Sequence, residues 1–140
     1  VEANTEELTG EGAVNGHKEA LIDGNLNTFW HSQWDGEGKN PPLPHIIIFD
    51  MQQTQNILSI ELARRQNNLD LKAVMFSISD DKENWTELGK LDFPNDKVPN
   101  AQIILLPKAI SGRYFRTTVT DSNNGVNASI AEIMFTMGKK

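Results

Sequence analysis

The chain has 140 residues, the size of one ordinary domain, with 38% hydrophobic residues, a net charge of −6 and no cysteine. This balance excludes disulfide staples, thiol catalysis and thiolate metal sites. It also argues against nucleic acid and against a polybasic membrane surface, because both draw on an excess of Lys and Arg. No run approaches the roughly 18 apolar residues that a membrane-spanning helix needs. Val1 is not an initiator Met and no apolar leader follows it, so the expectation is a mature or excised domain of a larger exported protein.

In chain order, the first 15 residues are polar and glycine-containing, and read as a loop or a loose edge strand. Residues 17–22 have room for one helical turn, ending at Asp23-Gly24. Pro41, Pro42 and Pro44 then bias the backbone to extended structure. His45 to Asp50 is a β-branched run suited to a buried strand. Ile57 to Arg64 predicts a second strand, with Leu58, Ile60 and Leu62 on one face by the two-residue period. Lys72 to Ser79 predicts a third, followed by the polar turn Asp80 to Asn84. Trp85 to Leu88, Gln102 to Leu106, Arg113 to Thr120 and Ser129 to Met137 complete the set. Trp30 and Trp85 are expected in the core. Short strands, polar connections and almost no helical periodicity predict an all-β antiparallel sandwich or barrel, as a single domain over 1–140.

The densest chemistry lies between Asp23 and Trp34. Asp23, Asn25 and Thr28 offer oxygens of the kind that Ca²⁺ prefers, and Gly24 lets the loop turn sharply. The same residues also fit a pair of Asx turns that bond their own backbone. The spacing is not that of an EF-hand. Just beyond, His31 and Trp34 can form a flat surface with a polar edge.

Several motifs then follow in a definite order. Asp23-Gly24-Asn25 leads to Asn27-Thr28 and Trp30-His31-Ser32. A strand ends in Asp50, and Arg64-Arg65-Gln66-Asn67-Asn68 comes after it. Phe76 to Asp80 precedes Asn84-Trp85, and Gly112 to Arg116 precedes Ala128 to Ile133. In this order the chain resembles the discoidin domain, also called the coagulation factor 5/8 type C domain. It is closest to the bacterial members grouped as carbohydrate-binding module family 32.

The resemblance implies an antiparallel jelly-roll β-sandwich of the galactose-binding-like kind, with binding and no catalysis. It implies one structural calcium, with Glu132 joining Asp23, Asn25 and Thr28, and backbone carbonyls of Ala20, Asn25, Thr28 and Ala131 completing the shell. It implies a glycan ligand, of galactose or N-acetyl amino sugar type, on loops at one end of the sandwich. His31 and Trp34 would contact it, together with Arg64 or Arg65 and Asn67 or Asn68. Arg65 is preferred, because Arg64 reads as the end of a strand. One departure stands out. The loop 121–127 carries no aromatic residue, where galactose-binding members often add one. Asn123 and Asn124 are the polar groups available there instead.

Asp80, Asp81 and Glu83 fall on one surface turn, whereas the carboxylates of a glycosidase must flank a cleft. There is no phosphate-binding Gly-rich loop, zinc pattern or nucleophile elbow. The expected role is a monomeric module tethered to a larger parent protein, outside the cell, in the periplasm or on the cell surface. The alternative is a protein-interaction or attachment domain of the same fold. A membrane-binding discoidin domain ranks last, since the loops show Asn, Asp and Gly where apolar spikes would be needed.

Overall fold

A computed structural model of the chain describes residues 1–65, 70–93 and 101–138. Its strands are β1 (Glu2–Ala3), β2 (Trp30–His31), β3 (His45–Ala63), β4 (Leu71–Ser79), β5 (Thr86–Asp92), β6 (Ala101–Ser122), β7 (Ser129–Ile130) and β8 (Glu132–Met137). A 3-10 helix over Lys18–Ile22 occupies the segment where one helical turn was expected. All strand pairing between these elements is antiparallel.

Two long strands build the sandwich. The first half of β3 pairs with the second half of β6, as in Phe49 opposite Phe115. The second half of β3 pairs with the first half of β6, as in Leu62 opposite Gln102. β1, β4 and β5 extend the first layer, and β8 extends the second beside β3. Four aromatic rings meet between the layers. Phe135 of β8 packs edge-on against Phe115 at 4.6 Å and Phe49 at 5.6 Å, and Phe76 lies 5.4 Å from Phe115. Burying rings and β-branched side chains on the facing layers drives this arrangement.

The sequence divides each long strand in two, at residues 51–56 and 107–112, whereas the backbone runs through as one. Register shifts between Asp50 and Gln55, and again between Ile57 and Ser59, turn β3 from one layer to the other without ending it. The second shift also corrects the expected face. Ile57, Ile60 and Leu62 are fully buried, but Leu58 is 39% exposed. One extra residue at the bulge moves Leu58 to the outer surface. Trp30 is buried in the core, where its indole N–H donates to the Thr5 carbonyl at 2.9 Å. Trp85 is not in the core. It is half-buried under the Arg116 guanidinium, 4.2 Å from its ring centre, and its N–H donates to the Lys82 carbonyl.

Candidate functional site

β2 and β7 form a small separate sheet, with Trp30 opposite Ile130 and His31 opposite Ser129. This pairing places His31 at the rim of one end of the sandwich. A cleft of about 460 Å³ opens there. Its walls carry His31 and Trp34 from one segment, and Arg65 and Asp70 from the ends of β3 and β4. Asn123, Asn124 and Asn127 come from the loop after β6, and Glu11 from the N-terminal segment.

Each group has a defined orientation. Trp34 is 38% exposed, and its indole N–H donates to Glu11 Oε1 at 3.1 Å. His31 is buried apart from its edge. Its Nδ1 lies 2.7 Å from the Ser32 carbonyl, which can only accept, so Nδ1 carries the proton and Nε2 faces the cleft. The Arg65 guanidinium carbon lies 3.8 Å from the centre of the Phe29 ring, and Arg65 also lines the cleft. Asp70 Oδ1 accepts from both the Ser129 amide at 3.0 Å and its hydroxyl at 2.8 Å. Asp70 Oδ2 lies 3.7 Å from His31 Nε2, beyond a direct hydrogen bond. Burial pushes the Asp70 carboxyl above the usual range, against the opposing pull of Ser129, His31 and Arg65.

The structure sorts the sequence candidates. His31, Trp34 and Arg65 converge on the cleft, as do Asn123 and Asn124. Arg64 does not: it is 1% exposed, with its guanidinium over Phe93 at 4.8 Å, while the Arg65 guanidinium beside it lies over Phe29. Asn67 and Asn68 lie outside the described residues. Asp70, Glu11 and Asn127 are additions. Asp70 carries no local signal beyond its position in the sequence shortly after Asn67-Asn68, and Glu11 sits in a stretch read as plain loop.

Asn127 ties the cleft wall to its neighbours. Its side-chain Oδ1 accepts from Ser32 Oγ at 2.9 Å and its Nδ2 donates to Asn40 Oδ1 at 2.9 Å. His45, fully buried beside Trp30, donates from Nε2 to the Val126 carbonyl at 2.6 Å. The 121–127 loop is therefore fixed from below, and Asn124 Oδ1 is committed to the amides of Val126 and Asn127.

On the other side of Trp30, the Asp23–Thr28 loop meets β8. Asp23 Oδ1 accepts from the Asn25 amide and Asn25 Oδ1 from the Asn27 amide, both at 2.9 Å, so the two Asx turns are formed. The Thr28 hydroxyl sits between Asp23 Oδ2 and the Asn25 carbonyl. Glu132, 4% exposed, accepts from the Gly24 amide through Oε1, while Oε2 is buried with no hydrogen-bond partner. Burial and then the neighbouring Asp23 push the Glu132 carboxyl up to about 7. Two carboxylates held together with an orphaned buried oxygen form a donor set that fits a hard cation. Among the described residues, no cluster of three or more His, Cys, Asp or Glu is placed to hold a metal. A cation here would therefore lean on the Thr28 hydroxyl and on backbone carbonyls as well.

A sandwich with loop-borne polar and aromatic groups at one end defines a class of binding domain, and the comparisons name it. The F5/8 type C domain model matches residues 1–133, and the chain belongs to this family. The C-terminal domain of a chitobiase from Bacteroides fragilis is 37% identical, with a TM-score of 0.80 over 99% of this chain and 93% of that one. The family 32 carbohydrate-binding module of Clostridium perfringens NanJ, solved with galactose, shares the fold at 20% identity and a TM-score of 0.77, over 96% and 90% of the two chains. A sialidase from Micromonospora viridifaciens is 28% identical over 122 residues, which are 84% of this chain and 18% of the sialidase. The chain thus spans about a fifth of that curated relative.

Proposed function

We propose that the chain is a non-catalytic carbohydrate-binding module whose cleft takes a terminal galactose or N-acetyl amino sugar. The observation that carries this reading is the convergence of a half-exposed Trp34 with His31 Nε2 and the Arg65 guanidinium. Trp34 supplies an apolar ring for the C–H face of a sugar. His31 Nε2 accepts one hydroxyl proton, and Arg65 donates to neighbouring hydroxyl oxygens. Few, well-placed polar groups around an aromatic surface are what such a ligand needs. The galactose-bound NanJ module and the carbohydrate-active relatives support the choice of ligand.

Asp23, Asn25, Thr28 and Glu132, with carbonyls of Ala20 and Ala131, would hold a structural calcium. The ion would supply positive charge to the Asp23–Glu132 pair and tie the early loop to β8. The module would work outside the cell as a tethered part of a larger parent enzyme or surface protein.

The test is a glycan array followed by titration calorimetry on the wild-type chain. Galactose or N-acetyl amino sugar glycans should bind, and Trp34→Ala should abolish binding without lowering the melting temperature by more than a few degrees. Retained affinity in Trp34→Ala would remove the site assignment. An array with no glycan bound would leave the protein-interaction reading in place of this one.

A further inference from the structure

Behind the cleft, a group the sugar would never touch gathers both walls of the Trp34 loop. Glu7 is 1% exposed. Its Oε1 accepts from the Trp34 amide at 2.9 Å and the Asp35 amide at 2.8 Å. Its Oε2 accepts from the Thr9 and Gly10 amides, each at 3.0 Å, and from the Thr9 hydroxyl at 3.2 Å. The Glu7 amide in turn donates to the His31 carbonyl at 2.9 Å. Glu7, through its side chain and its backbone amide, therefore joins the N-terminal segment to Trp34 and His31, which both line the cleft.

The same segment also seats the indole. A Cβ added to Gly10 would lie 2.6 Å from Trp34 Cζ2 and 2.7 Å from Cη2, so the ring rests directly on the Gly10 backbone. Glu11 caps the indole N–H from the next residue. Trp34 is thus held at its backbone, its ring and its N–H by residues 7–11. No other Phe, Tyr or Trp ring lines the cleft among the described residues, so the orientation of this indole decides the shape of its apolar surface.

We propose that Glu7 and Gly10 form a cradle that presets Trp34 for ligand, with Glu7 as a positioning residue of the cleft. A carboxylate is required, because four backbone amides converge on two oxygens. A Gln at this position keeps one acceptor oxygen and turns an NH₂ toward two of those amides. Presetting matters to a small ligand, since ordering a loop on binding is subtracted from affinity. The proposal rests on the sugar-binding reading for its effect on affinity, but the cradle itself can be read without ligand.

The experiment uses ¹⁵N-labelled 140-residue chain. Trp30, Trp34 and Trp85 give separate indole N–H signals, and Trp34→Phe assigns the one of interest. Glu7→Gln should shift the Trp34 indole and expose the Trp34 and Asp35 amides to faster hydrogen exchange, with the Trp30 and Trp85 indoles unmoved. Gly10→Ala keeps the carboxylate and needs no left-handed backbone, and should move the same indole by pushing the ring off its seat. Galactose affinity, used as the probe, should fall about tenfold or more in both variants. A lowered melting temperature with an unmoved Trp34 signal would make Glu7 a plain fold-stabilising residue and overturn the proposal. If Glu7→Gln does not fold, the Gly10→Ala signal decides. If the wild-type chain binds neither galactose nor an N-acetyl amino sugar, the ligand reading fails, while the indole and exchange data still decide the cradle.

Discussion

Glu7 is buried yet ionised. Desolvation alone would raise its pKa, but the amides of Thr9, Gly10, Trp34 and Asp35 together outweigh it and hold it at about 2, below the ordinary 4.5. A folded-state pKa below the unfolded one stabilises the fold above the unfolded value. That stabilisation is full above about pH 4.5 and disappears as pH falls through about 2. The shift corresponds to on the order of 3 kcal/mol. Asp50, lowered by its exposed pair with Arg113, drains stability over the same range, so the informative quantity is a difference. Melting temperatures from pH 6 to pH 2 should fall more steeply for the wild type than for Glu7→Gln. Parallel slopes would contradict the assignment. None of this was legible in the sequence, because Glu7 lies in a polar stretch with no periodicity. Its four amide donors come together only once residues 33–35 have folded against it.

At the scale of elements, the strands were readable and their register was not. β-branched runs mark β3, β4 and β6 clearly, because their side chains fill the space between layers. The bulge at Ile57/Ser59 leaves no residue-type signature, and it reverses the face of Leu58. Leu58→Ser should therefore change stability by no more than about 0.5 kcal/mol. Ile60→Ala, two residues along on what simple alternation makes the same face, should cost about 2 to 5 kcal/mol. Urea denaturation of both variants checks this, and a large loss in Leu58→Ser would mean that the strand is not bulged there. The same insensitivity explains Arg64 and Arg65. Their order along the chain was plain, but which one reaches the cleft depends on where the register stands when β3 ends.

At the scale of the whole molecule, the candidate site is assembled from parts far apart in the chain. His31 and Trp34 were legible as a local pair, and Arg65 through the family pattern. Asp70, Glu11 and Asn127 were not, since only the packing of β4, the N-terminal segment and the last loop brings them together. The hydrogen bond from the Gly24 amide to Glu132 joins residues 108 positions apart in the chain. Closing so long a loop is an effect on the entire fold. A cation that binds only the folded chain stabilises it by mass action, about 2.7 kcal/mol at a hundredfold excess over Kd. For a domain of this size that is a rise of roughly 10 °C in melting temperature. Calcium should raise the melting temperature of chelator-treated protein by an amount of this order. Glu132→Gln should abolish the rise, because it removes one of the two carboxylates of the set and leaves Asp23 with hydroxyl and carbonyl oxygens too weak to hold the ion. Magnesium should substitute poorly, as it demands a tighter octahedral shell than this set of loop oxygens offers. A melting temperature indifferent to chelator, with no metal found by elemental analysis, would leave the two Asx turns and the Gly24 amide as the whole of the brace.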